Sequence, residues 1–464
     1  MAFSFLLFML LARQSQVTAA VFRTSVAYLV IAEFLGLLGT HRWLAVEIAM
    51  RGPERRPLFV TGIAYALLVS TGIAVVYYII SYSGIYSGNI SVALRFVACG
   101  ALASACLTCI QTTLVGMGYS SQVGLLNLTE NVIRALIGIA LVLLKQPVLS
   151  IIIVFVATRW GIMIVGLAVT LIRLGGSDIR PRKDFFKLFL RQTPQFAGIM
   201  VAFLCIRNAA LIVLPAISGE RETALFAVPY QLYDLLLLAP TILALTSTFV
   251  LTRTAAQSRA SLRLAIMRLL TITVSYTLPL TALSIAFSKN ILVFLAGSRY
   301  AGATLPFSVL VIAAPLMALD QVLSQAMISD GQFRNDRIAV TFGAICAVIG
   351  TVALGSLYGA LGAAVAFVSA TIVTLLGRFY LSGKLLKARD LLLIARKPAL
   401  ASILAYFVSI ALLWFTRMAG SDIVRYTWPA LAAVGLVVSA TVMVMLGGLS
   451  RRKCRRMGLF LLGR

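Results

Sequence analysis

Histidine is almost absent from this 464-residue chain. His41 is the only one, so acid–base chemistry or metal ligation built on imidazole has nothing to work with. Acidic residues are scarce too, 14 Asp and Glu against 40 Lys and Arg. All charged residues together make up 12%, about half the ~25% usual in soluble domains. No G-x-x-x-x-G-K-[ST] occurs, and no polar stretch is long enough to fold as a soluble domain, so a P-loop nucleotide site is excluded. The six cysteines form no metal pattern: Cys99, Cys106, Cys109, Cys205 and Cys346 lie inside apolar runs, where cysteine behaves as a small hydrophobe. Cys106-x-x-Cys109 lacks a second pair or a histidine, and Cys454 in the basic tail is a palmitoylation candidate only. No catalytic residue, cofactor or metal site is expected.

What is abundant is apolar length. Hydrophobic residues make up 61% of the chain and the mean hydropathy is +1.01. A water-soluble fold of this size has too little interior to hide them. Runs near twenty residues recur throughout, which predicts an all-α, polytopic membrane protein. The runs fall at 20–40, 57–81, 93–117, 127–145, 147–173, 193–217, 224–250, 264–288, 304–328, 337–357, 359–381, 397–417 and 427–449. Before them, MAFSFLLFMLLA lacks a positive n-region and a small-residue cleavage site, and its twelve residues rise only roughly 18 Å as a helix. It reads as an incomplete first span, which makes fourteen.

A net charge of +26 raises the question of nucleic acid. The placement of the charges excludes it, because they cluster in alternate gaps between the runs. One set of gaps holds Arg42, Arg51, Arg55 and Arg56, then the stretch from Arg173 to Arg191, then Arg253 to Arg268, Arg334 and Arg337. It continues with Arg378 to Lys397 and ends in the tail RRKCRR. The other set is poor in positive charge. The positive-inside rule makes the first set cytoplasmic, with both termini inside and the bacterial inner membrane as the site. Outward gaps such as SYSGIYSGNIS (81–91) and AISGERET (216–223) leave no room for an outer catalytic domain. The basic stretch LGGSDIRPRKDFFKLFLRQTP (174–194) divides the chain. The expected organisation is an N-terminal lobe 1–175, a linker 176–192, a C-terminal lobe 193–385, and two further spans with a basic tail at 386–464. Six spans on either side suggest the repeated halves of a transporter.

Ionisable residues inside spans carry the functional signal. Glu33, Arg95, Glu130, Arg134, Arg159, Arg207, Asp234 and Asp320 fall there. Each costs ~2.5–3.5 kcal/mol at a helix centre on insertion scales. Glu130 and Arg134, four apart, are spaced to pair on one face. Arg95 and Arg23 sit near outer span ends, where arginine reaches the headgroups. Arg159 and Arg207 lie too deep for that, and neither has an acid three or four residues away. A polar cavity is the functional reading, a buried structural contact the plain one. Arginine grips phosphate in bidentate fashion, so an anionic amphiphile is favoured over a cationic drug. On this reading Arg207, Arg159, Arg134 and Arg23 are the candidate substrate-binding residues. Glu33, Asp234 and Asp320 are candidates for charge balance or for carrying a coupling ion.

Several stretches also resemble a known family. ALFAVPYQLYDLLLLAPTILALTSTFVLTR (224–253) is similar to the eighth span of polysaccharide flippases, and VFLAGSRYAGATLPFSVLVIAAPL (293–316) to the G-x-x-Y-x-x-A opening of their tenth. SQAMISDGQ (324–332) runs on to a closing G-x-x-G-A-A-x-A on Gly359, Gly362, Ala363, Ala364 and Ala366, and LLAR (10–13) resembles the end of their first span. The chain thus resembles the O-antigen/exopolysaccharide flippase branch of the multidrug/oligosaccharidyl-lipid/polysaccharide exporter superfamily. The resemblance implies two six-helix lobes with pseudo-twofold symmetry around a central cavity, and alternating access. It implies an undecaprenyl-diphosphate-linked oligosaccharide as substrate, the polymerase and other surface-polysaccharide assembly proteins as partners, and no enzymatic activity. It also puts Arg207 in a cavity-lining seventh span, with Pro194 at a bend. Rival readings are a lipid-peptidoglycan flippase, a cation-coupled multidrug exporter, and a polysaccharide polymerase or ligase.

Overall fold

The computed structural model describes residues 2–52, 54–86, 88–175, 180–383, 388–419 and 421–445, and everything described is helix, turn or loop. The basic tail with Cys454, and residues 176–179 of the expected linker, lie outside the described residues. In hydrocarbon every backbone N–H and C=O must be satisfied within its own segment, which leaves the helix as the form for these apolar runs.

In chain order the helices are α1 (Ala2–Gln14), α2 (Gln16–Leu35), α3 (His41–Met50), α4 (Arg55–Tyr82), α5 (Gly88–Gly116), α6 (Ser120–Leu143), α7 (Val148–Leu174) and α8 (Lys183–Ile217). There follow α9 (Gly219–Leu236), α10 (Leu238–Thr246), α11 (Thr248–Gln257), α12 (Arg259–Ala286), α13 (Ser288–Ala296), α14 (Thr304–Ser329), α15 (Phe333–Leu381), α16 (Ala388–Ala419) and α17 (Ser421–Met445). Among the described residues ten helices are long and apolar enough to cross a membrane, and an eleventh span arises if α9 and α10, bent by 45°, count as one. Against the fourteen expected, α15 counts once although it contains the runs 337–357 and 359–381. The first and last expected runs appear as the shorter apolar helices Ser4–Gln14 and Trp428–Val442. The run 224–250 is broken where Pro240, in the first turn of α10, has no N–H to continue the ladder from α9. The basic gap after α2 holds a short helix, α3, which hydropathy read as loop.

The chain divides into two compact units, Met1–Ala227 and Val228–Arg464. The expected linker 176–192 is helical from Lys183 onward, and α8 belongs to the first unit although 193–217 was expected to open the second lobe. The reason is packing. Phe185 and Phe189 on α8 are buried in the first unit's core with Leu44, Tyr65 and Cys109. Phe189 stacks on Tyr65 at 5.0 Å and meets the Trp43 ring edge-on at the same distance. At the corner after α2, Gly39 has φ 79°, and a Cβ there would lie 2.9 Å from the Phe196 carbonyl oxygen. At the other end Tyr86 Oη donates to the Ile212 carbonyl at 2.7 Å, and Thr24 Oγ1 to that of Leu211 at 3.2 Å. As an element α8 runs continuously through Pro194.

In the second unit α15 folds back on itself at Gly359, whose φ of 54° favours glycine. Its two legs run antiparallel in tight register. A Cβ on Gly362 would lie 1.8 Å from the Leu354 carbonyl oxygen, and one on Gly350 3.0 Å from the Ala366 Cβ. The small-residue motif singled out in the sequence is thus the close-contact face of a helical hairpin. Gly362→Leu is expected to cost about 3 kcal/mol or more. Gly124→Ala, at a helical position with nothing within 4 Å, is expected to be neutral or slightly stabilising. Thermal unfolding of both variants in detergent micelles is the measurement, and equal unfolding temperatures would refute the hairpin contact.

Candidate functional site

Two clusters of buried charge stand out, one in each unit. In the first, α7 delivers Arg159 into the space between α2, α5 and α6. Its Nη1 donates to Glu130 Oε1 and Oε2 at 2.9 and 3.1 Å, its Nε to Ser104 Oγ at 3.1 Å, and its Nη2 to Glu33. Arg134 pairs with Glu130 across one helical turn. The Arg134 guanidinium lies 5.0 Å from the centroid of the Phe155 ring and donates to the Phe155 carbonyl at 3.4 Å. Two carboxylates thus face two guanidiniums, and the charges balance. The Glu130 side chain is 2% exposed and that of Arg159 8%, whereas Glu33 is 31% exposed and forms the open end. Thr108 Oγ1 donates to the Glu33 carbonyl at 3.0 Å, which ties that turn of α2 to α5.

In the second unit, Arg378 near the end of α15 donates from Nε to Asp336 Oδ1 at 2.7 Å and from Nη1 to Asp320 on α14. All three side chains are at most 6% exposed. Here two carboxylates share one cation. One oxygen of each, Asp320 Oδ1 and Asp336 Oδ2, has no hydrogen-bond partner among the described residues. A net negative charge sealed in a low-dielectric interior is expensive unless a proton or cation neutralises it.

The sequence-predicted residues are distributed as follows. Glu33, Arg134 and Arg159 are brought together, with Glu130 as their centre. Arg159 is engaged by acids that are remote in the chain, so a phosphate would have to displace one of them. Arg23 and Arg207 are half-buried on α2 and α8, two helices that pack on each other, and Leu211, which binds Thr24, is one turn beyond Arg207 on the same face. Asp234 is half-buried near the end of α9. Arg95 is exposed in the N-terminal part of α5, its guanidinium 4.1 Å from the Tyr82 ring centroid. Asp320 joins Asp336 and Arg378, which sequence reasoning missed: Asp336 sits in a polar gap and Arg378 among loop cations. The available signal was the glycine at 359, about midway between them. Cys106 and Cys109 are free and buried in the apolar core.

The sequence matches no family model and no curated protein. Solved structures do share the architecture. "Lipid II flippase MurJ, inward closed conformation" superposes with a TM-score of 0.76 at 15% identity, covering 96% of this chain and 96% of that one. An inward-facing multidrug resistance MATE family transporter of the MOP superfamily gives 0.63 at 16% identity, over 82% of this chain and 94% of that one. A eukaryotic MATE transporter gives 0.59 at 13%, over 85% and 98%. The chain shares the fold of these structures. Within that fold it is a multi-pass membrane protein, and the solved structures that share it are by their titles flippases and transporters.

Proposed function

We propose that this protein is a flippase that moves an anionic lipid-linked substrate, a polyprenyl-diphosphate-linked oligosaccharide for surface polysaccharide, across the bacterial inner membrane by alternating access. The observation that carries this reading is the likeness to a lipid II flippase along 96% of both chains; the likeness to the MATE transporters covers 82–85% of this one. The positive-inside pattern of the gaps supports cytoplasmic termini. Arginines kept inside spans at high cost support an anionic head rather than a cationic drug. In this reading Arg207 and Arg23 bind the diphosphate, and Arg159 and Arg134 take part when Glu33 swings away. Asp320, with its surplus carboxylate, and Asp234 carry the coupling charge, and the polymerase that consumes the flipped lipid is a partner.

The test is leaflet-resolved. In cells lacking the chain, lipid-linked oligosaccharide is expected to accumulate on the cytoplasmic leaflet, and the wild-type gene to clear it. Arg207→Ala is expected to slow clearance about tenfold or more and Arg207→Lys less, because lysine keeps the charge and loses the bidentate grip. Accumulation of lipid-peptidoglycan precursor instead would assign the alternative lipid substrate. No accumulation of either, with raised drug sensitivity, would assign the multidrug reading.

A further inference from the structure

Between α6 and α7, on a face that leaves Leu125, Ile133 and Val165 exposed, lies a groove of about 630 Å³. That is the size of a small-ligand site. Leu125, Thr129 and Ile133 of α6 form one wall, and Thr158, Val165 and Val169 of α7 the other. Both sets repeat at helical spacing, so the groove follows the helix pair along its length. From Arg173 at one end to Thr158 at the other is fifteen residues, about 22 Å of helix, enough to reach from headgroup level past the middle of a ~30 Å hydrocarbon core.

Its two ends differ in chemistry. The deep end is lined by carbon and by Thr158, whose hydroxyl is spent on the Val154 carbonyl at 2.7 Å. The shallow end holds Arg173 and Gln122, and Gln122 Oε1 has no hydrogen-bond partner among the described residues. The Arg173 guanidinium lies 5.0 Å from the Tyr119 ring centroid, a cation–π contact that does not consume its N–H donors. Arg56 donates to the Gly175 carbonyl just beyond, adding a second positive charge at this end. Among the described residues, no acid lines the groove. The arrangement is an apolar slot one leaflet deep, with cations at phosphate level and an amide acceptor beside them.

We propose that this groove holds one acyl chain of an anionic glycerophospholipid of the cytoplasmic leaflet, its phosphate on Arg173 and a headgroup hydroxyl donating to Gln122. The occupant is a bilayer lipid and not the transported substrate, because Arg173 is the one guanidinium in the groove's lining, Arg56 being engaged by the Gly175 carbonyl, and one guanidinium with an amide suits one negative charge and a hydroxyl rather than a diphosphate. Ile133 and Thr158, in the groove wall, directly precede Arg134 and Arg159 in the chain. The bound lipid therefore braces the helix pair that holds the first ion cluster.

Native mass spectrometry of the full chain in detergent, with equimolar dioleoyl phosphatidylglycerol and phosphatidylcholine, reads the preference directly. Wild type is expected to retain phosphatidylglycerol about fivefold over phosphatidylcholine, and Arg173→Gln to bring the ratio near one. Gly161 lies in the groove wall, and a Cβ there would have nothing within 4 Å, so Gly161→Phe has room at Cβ to send its ring into the slot and is expected to lose the bound lipid of either kind. Undiminished selectivity in Arg173→Gln, or wild-type occupancy in Gly161→Phe, would overturn the proposal. A phosphatidylglycerol with a photoreactive acyl chain keeps the test independent of how the variants fold. In wild type it is expected to label the peptides around Leu125 and Val165. Labelling elsewhere, or displacement by equimolar polyprenyl phosphate, would refute the assignment.

Discussion

Arg159→Leu is expected to destabilise the first unit by about 3 kcal/mol, because it leaves Glu33 without its cation and Glu130 with Arg134 alone, two carboxylates on one guanidinium in a largely buried site. For a unit of this size that is a fall of roughly 10 °C in unfolding temperature in detergent micelles. Arg95→Leu is the matched control: it also removes an intramembrane arginine, but an exposed one whose contact is an aromatic ring, and is expected to change stability by less than about 1 kcal/mol. Adding Glu130→Gln to Arg159→Leu is expected to recover part of the loss, since removing both partners of a buried pair is milder than removing one. Equal stability of Arg159→Leu and Arg95→Leu would mean that the network contributes nothing to the fold.

The second cluster responds with the opposite sign to loss of an acid. Arg378→Leu is expected to cost about 4 kcal/mol or more, since two carboxylates then face each other in a dry interior. Asp336→Asn removes the surplus charge while its amide oxygen still accepts from Arg378, so it is expected to be neutral or stabilising. In the balanced first cluster, Glu130→Gln is expected to cost several kcal/mol, because it leaves two guanidiniums facing one acid. Thermal unfolding of these three variants under one set of conditions separates the two electrostatic states. A loss in Asp336→Asn as large as that in Arg378→Leu would refute the charge surplus.

Much of the architecture was legible because hydrophobic runs of membrane length have one backbone solution in lipid. The α14, α12 and α7 spans lie within a few residues of the expected runs for that reason. The legible part ends where contacts beat composition. Lys183 to Gln192 are charged enough to read as a linker, yet Phe185 and Phe189 on the same turns insert into an aromatic core, which makes the segment helix. Of the ion clusters, only the pair four residues apart could be read locally. The acids that hold Arg159 come from positions 29 and 126 residues away. No local spacing rule reaches that far.

By itself the sequence determined that this is a helical membrane protein, which gaps are basic and which helices carry charge. These are properties of local composition, fixed by the cost of exposing polar backbone or charge to hydrocarbon. Only the tertiary structure decided which charges meet, that one cluster balances and the other does not, and that α8 joins the first unit. Those outcomes depend on side chains from separate helices arriving at one point, where a few ångströms decide between a buried pair and an unpaired charge.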